Sequence, residues 1–152
     1  MKKKMKKVSR RSSFEYRDDR SQELLEVFNR EVGTRLFESV ESVVRRVVNM
    51  PSSWFWVSEE RAMRVVSAML RGKGDGGCRA LHREMYEEIA RRCENLRREH
   101  PDWPLRACVW YVVNRPAPKF YLSAETAHTI IIKARKQCIR ERMQRLQHWL
   151  SA

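Results

Sequence analysis

Apolar positions recur along the chain at helical spacing, and one such pattern is written twice. Residues 47–62 read VVNMPSSWFWVSEERA and residues 112–127 read VVNRPAPKFYLSAETA, an ungapped match at an offset of 65 with eight of sixteen positions identical. The stretch entering each copy carries an i, i+1, i+4, i+5 stripe: Val43, Val44, Val47 and Val48, then Cys108, Val109, Val112 and Val113. That spacing is the buried face of a helix. Asn49 and Asn114 stand just ahead of Pro51 and Pro116. A residue before proline is pushed out of the helical region, so each helix must stop there. Ser58 and Ser123 then have the place of N-caps, whose hydroxyls accept from orphan amides. Glu60 and Glu125 follow where the helix dipole favours an anion. Val57 with Ala62, and Leu122 with Ala127, have the spacing of a hydrophobic staple. Phe55, Phe120, Trp56 and Tyr121 are expected to plug the space between helices rather than to stack on bases. A duplication at fixed offset predicts two copies of one structural unit.

The remaining elements follow from the same periodicity. Residues 18–35 read as the first helix, with Leu24, Leu25, Val27, Phe28 and Val32 as its stripe and Gly33 as a break or bend. Residues 37–49 and 58–71 are the second and third. Residues 72–77 read GKGDGG and hold four of the five glycines, a composition that suits a flexible linker. A phosphate-cradling loop would need Ser or Thr after Gly-Lys, and here glycine follows. Unit two repeats the plan with helices over 79–100 and 105–114 and a third after Ser123. No glycine or proline occurs from Ala124 to Ala152, so that helix is expected to run to about residue 150. Ile139, Met143, Leu146 and Leu150 make a stripe along it, which either packs back on unit one or pairs with a second chain as a homodimer. Packing back is the default for a chain this small. The expected fold is all-α. It comprises a disordered basic arm (1–13), two tandem three-helix, helix-turn-helix-like units (14–71 and 79–136) joined by the linker 72–78, and a long basic C-terminal helix extending over 137–152.

Two helices joined by a loop, with a third upstream, resemble the small helix-turn-helix class of DNA-binding domains over residues 36–72 and 105–136. The connections 50–57 and 115–122 depart from that class in being longer than its three- or four-residue turn, and neither contains glycine. The resemblance implies that the third helix of each unit carries recognition. Its outer face would present Arg61, Arg64 and Arg71 in unit one. In unit two it would present Thr126, Thr129, Lys133 and Lys136, with Arg140 a turn further on. An ordinary solvated helix face is the competing reading.

Charge sharpens the class of partner. Of the net +13, the first eleven residues carry +7, the last twenty +5, and everything between only +1. The arm supplies Lys2, Lys3, Lys4, Lys6, Lys7, Arg10 and Arg11. Basic ends on a near-neutral middle are electrostatic handles for a polyanion, with DNA ahead of RNA. A helical adaptor that binds protein, or a binder of structured RNA, remains an alternative. No membrane partner is expected: no segment is long and apolar enough to cross one, and an anionic membrane surface is a weaker option for a basic tail without aromatic anchors or a lipidation motif. Catalysis, a metal site and a cofactor are not expected either. Glu59–Glu60 and Glu87–Glu88 are adjacent pairs that point about 100° apart on a helix. Cys78, His82, Cys93 and His100 match no standard zinc spacing. The four cysteines form no CxxC, and no secretory signal follows the basic start, so reduced thiols in the cytoplasm are expected.

Overall fold

Local signals set most of the helix ends in the computed structural model, which describes the backbone of residues 13–152 and side chains from Arg17 onward. The arm residues Lys2 to Arg11 lie outside the described residues. The helices are α1 (Ser13–Glu31), α2 (Val40–Val48), α3 (Glu59–Leu70), α4 (Ala80–Glu99), α5 (Leu105–Val113) and α6 (Ala124–Leu150). Among the described residues there is no strand, and the fold is all-α. Ser58 and Ser123 both cap: each Oγ accepts the amide three residues on, from Arg61 and Thr126, at 3.2 Å. Asn49 and Asn114 are the C-caps of α2 and α5.

The corner between α1 and α2 differs from expectation. Helix α1 ends at Glu31 rather than near residue 35, because Gly33 takes φ +82°, a left-handed conformation open to glycine and uncommon elsewhere. Helix α2 begins at Val40, not at residue 37, because Ser39 is its N-cap and accepts from Ser42 N–H at 3.2 Å. Leu36 and Phe37 therefore lie in the connection, exposed, and Phe37 itself has φ +56°. Arg46 closes this corner by pairing with Glu31 at 3.0 Å and with Glu38.

The larger difference concerns which helices pack together. Helix α3 packs on α4 and α5, while α6 packs on α1 and α2. One core holds Ala62 and Val66 of α3 with Met85, Tyr86, Ile89 and Cys93 of α4 and Cys108, Val109, Val112 and Val113 of α5. The other holds Leu24, Leu25, Val27 and Phe28 of α1, Val43, Val44, Val47 and Val48 of α2, and Ala127 and Ile131 of α6. The three-helix bundles are thus not the contiguous segments 14–71 and 79–136. Each third helix leaves its own pair and completes the other.

The repeated loops make the exchange possible by crossing. Ser52 and Ala117, which occupy equivalent positions, form an antiparallel bridge with N–H to O distances of 3.0 and 2.9 Å. Phe55 N–H donates to Val113 O at 3.2 Å, and Phe120 N–H donates to Val48 O at 3.1 Å. Those two bonds are one bond written twice, each residue displaced by 65. Both crossing residues are small and buried, which lets two backbones approach. Ser52 Oγ is satisfied locally, donating to Trp54 O at 2.8 Å. The aromatics follow the exchange: Phe55 and Tyr121 stack in the α3–α4–α5 core, while Trp56 and Phe120 enter the other. All four are buried, as the core reading expects.

Helix α3 stops at a Schellman motif. Gly72 has φ +73°, its N–H donates to Met69 O at 3.0 Å, and Lys73 N–H donates to Ala68 O at 2.9 Å. The glycine segment that follows is tied rather than loose: Asp75 pairs with Arg83 and accepts Gly77 N–H at 3.0 Å. Helix α6 has Gln137 where α3 has Gly72, and it runs on. From Ile139 to its end every residue is exposed, so this extension does not pack back on α1 and α2.

Candidate nucleic-acid interface

Because α3 lies against α4, its outer face acquires neighbours that its own sequence does not announce. Arg61 is exposed, yet its Nε donates to Tyr86 Oη of α4 at 3.1 Å. That bond satisfies a phenol otherwise buried in the core. His82, one turn before Tyr86, is partly desolvated and lies in the field of Arg61, Arg20 and Arg79, and both effects hold its imidazole below the ordinary range. Cations from α1, α3 and the start of α4 thus all disfavour the protonated form of one histidine. Helix α4 has no acid in its first turn and no side-chain cap at Arg79, whereas α2, α3 and α6 each begin with a serine cap and an acid. Its exposed amides add positive potential to the same end. Arg20, Arg79 and His82 were not among the sequence candidates. Arg79 and His82 are neighbours in the chain, but Arg20 on α1 and Arg61 on α3 are distant from them in sequence, so no local signal could have grouped the set.

The remaining candidates divide cleanly. Arg64 and Arg71 on α3, and Lys133, Lys136 and Arg140 on α6, are exposed, and among the described residues none makes an ion pair. Thr126 and Thr129 are exposed but engaged locally. Thr126 Oγ1 accepts from Ser123 Oγ at 2.8 Å, and Thr129 Oγ1 donates to Glu125 O at 3.1 Å. The two sets sit on helices that belong to different bundles.

The chain matches no protein-family model, no curated protein and no solved structure.

Several other cations hold the fold instead. Arg92 Nη1 donates to Pro116 O at 2.9 Å, its Nε to Glu88 at 2.9 Å, and its guanidinium lies 5.0 Å over the Phe55 ring. It clamps both crossing loops to α4. Lys119 pairs with Glu84, and Arg115 lies 4.3 Å over Tyr111. Glu59 at the start of α3 accepts from Asn114 Nδ2 at 3.1 Å, so that acid also serves the junction.

The thiols have structural roles. Cys93 and Cys108 are fully buried in one core, and burial pushes the Cys93 thiol up to about 12, with Cys108 adding to the shift. Among the described residues no three His, Cys, Asp or Glu side chains come together as a metal site would require, and no helix is long and apolar enough to cross a membrane.

Proposed function

We propose that the protein binds nucleic acid, DNA ahead of RNA, as a non-enzymatic regulatory or accessory factor. The carrying observation is the basic face formed by Arg61, which donates to Tyr86 Oη of α4, with Arg64 beside it on α3 and Arg79 at the uncapped start of α4. Like charges are costly to gather, and a polyanion laid across them removes that cost. The exposed cations Lys133, Lys136 and Arg140 on α6 and the seven of the N-terminal arm extend the same reading. These contacts are phosphate contacts in the main. The connections 50–57 and 115–122 lack the tight turn by which a helix-turn-helix seats its reading helix, so affinity exceeds sequence preference.

The test is a salt titration with duplex DNA, with structured RNA, and with an acidic protein as a polyanion control. Binding to duplex should weaken steeply with salt. Removal of Met1–Arg11 should flatten that slope, and Arg64→Ala with Arg79→Ala should weaken all duplex sequences by similar factors. Equal binding to the acidic protein, or a slope that neither change alters, refutes the reading. A second reading, a helical adaptor for another protein, is favoured by the exposed apolar stripe on α6.

A further inference from the structure

The outer half of α6 makes no tertiary contact that explains its sequence. Ile139, Met143, Leu146 and Leu150 are all more than half exposed, at 59%, 54%, 53% and 87%. A helix end of this length is marginal in water without a packing partner. The spacing 139, 143, 146, 150 alternates four and three, and Ile132, also exposed, stands seven residues before Ile139. At 3.6 residues per turn these side chains fall within an arc of about 60°. An arc so narrow is the seam of a coiled coil, whereas a helix lying in a membrane interface needs a much broader apolar face.

Charge selects the occupant. The positions flanking the seam are Arg135, Arg142 and the exposed Trp149 on one side and Lys133, Arg140 and Gln147 on the other, and Lys136 interrupts the seam itself. The one acid of this segment, Glu141, is on the far side and accepts from Gln137 Nε2 at 3.0 Å. A second copy of the chain would set arginine against arginine along both flanks and lysine against lysine within the seam. Nucleic acid would meet the charges but leave the apolar seam in water.

We propose that Ile132–Leu150 is one strand of a coiled coil whose second strand is an acidic amphipathic helix of another protein. That partner carries aliphatic residues along its seam and Glu or Asp on both flanks. The site shares Lys136 and Arg140 with the nucleic-acid reading and differs from it in requiring the apolar seam.

The experiment uses the full chain and a labelled synthetic helix, three heptads long, with Leu at the seam and Glu on both flanks. Its twin with Lys on the flanks is the control, and anisotropy at about 0.15 M salt reports binding. The acidic helix should bind and the basic twin should not. Leu146→Asp should weaken binding at least about tenfold. The triple reversal Arg135→Glu, Arg140→Glu, Arg142→Glu should exchange the preference between the two helices. These positions are exposed, so the thermal transition of the body should not move, and Leu146→Asp, which leaves every cation in place, should keep duplex DNA binding while losing the acidic helix, so the two proposals fail separately. The proposal is overturned if neither helix binds, or if binding ignores Leu146→Asp. It is equally overturned if the chain alone sediments as a dimer that Leu146→Asp dissolves, or if only anionic vesicles engage the stripe.

Discussion

The bundle α1–α2–α6 and the bundle α4–α5–α3 are built from the same repeated stretch, yet only one is closed off. In α4–α5–α3 the third helix ends at Gly72, and the corner before α5 folds Trp103 inward, stacked on His100 at 4.2 Å between centroids. In α1–α2–α6 the equivalent of Gly72 is Gln137, so α6 continues into solvent with an apolar seam. The equivalent corner leaves Leu36 and Phe37 exposed instead of a folded-in tryptophan. The two copies therefore share a core and differ at their ends. The contacts that fold the chain are equivalent in the two copies, and differences in two short stretches leave one copy with exposed apolar surface.

The crossing of third helices gives the largest test of this comparison. Cleavage within the segment 72–77 should leave the two fragments associated in a stable complex, because each supplies the helix that closes the other's bundle. Gel filtration after cleavage reads the result; tandem units would separate. Phe55→Ala and Phe120→Ala come next. Each removes a ring buried at the crossing and should cost about 3–5 kcal/mol in denaturant unfolding. Each should also lower a single shared transition, since a bundle cannot open without releasing its borrowed helix. Two separate transitions would show that the halves are independent.

The helix ends come third. Gly72→Gln should destabilise by about 1–2 kcal/mol, since a side chain is placed at φ +73°. The reciprocal Gln137→Gly should cost about 1 kcal/mol of local helix and reduce helicity of the extension without moving the main transition. If both changes shift the global transition alike, the extension is part of the fold and the contrast between the ends is lost. The smallest effect is expected at His82. Its pKa is depressed in the folded protein, so the unfolded chain binds more protons below the ordinary imidazole range. Stability should fall as pH drops through about 6.5. A bound phosphate would raise that pKa, so duplex binding should strengthen over the same interval, and His82→Gln should remove both trends. The equivalent position in the other half is Arg17, which offers no such titration there. A pH response unchanged in His82→Gln would place the titrating group elsewhere.

What the sequence determined by itself was local. The caps at Ser58 and Ser123, the stops at Asn49 and Asn114 and the buried aromatics all follow from interactions within a few residues. It also carried the repeat and the placement of charge, which need no structure to read. Helix boundaries failed at α1, which begins at Ser13 rather than residue 18 and ends at Glu31 rather than residue 35, and at the start of α2, where Phe37 was placed in the helix and instead lies exposed in the connection. Which pair of helices each third helix joins was decided by tertiary structure alone. The reason is the repeat itself: Ala62 and Ala127, Phe55 and Phe120, and the two valine stripes are chemically equivalent, so either pairing buries the same surface. What distinguishes them is the meeting of the two long loops, in the antiparallel bridge of Ser52 and Ala117 and the paired bonds from Phe55 to Val113 and from Phe120 to Val48. The basic cluster at His82 and the bare seam of α6 depend on that choice, because one is made by a helix arriving from the other half and the other by a helix that outruns the bundle it completes.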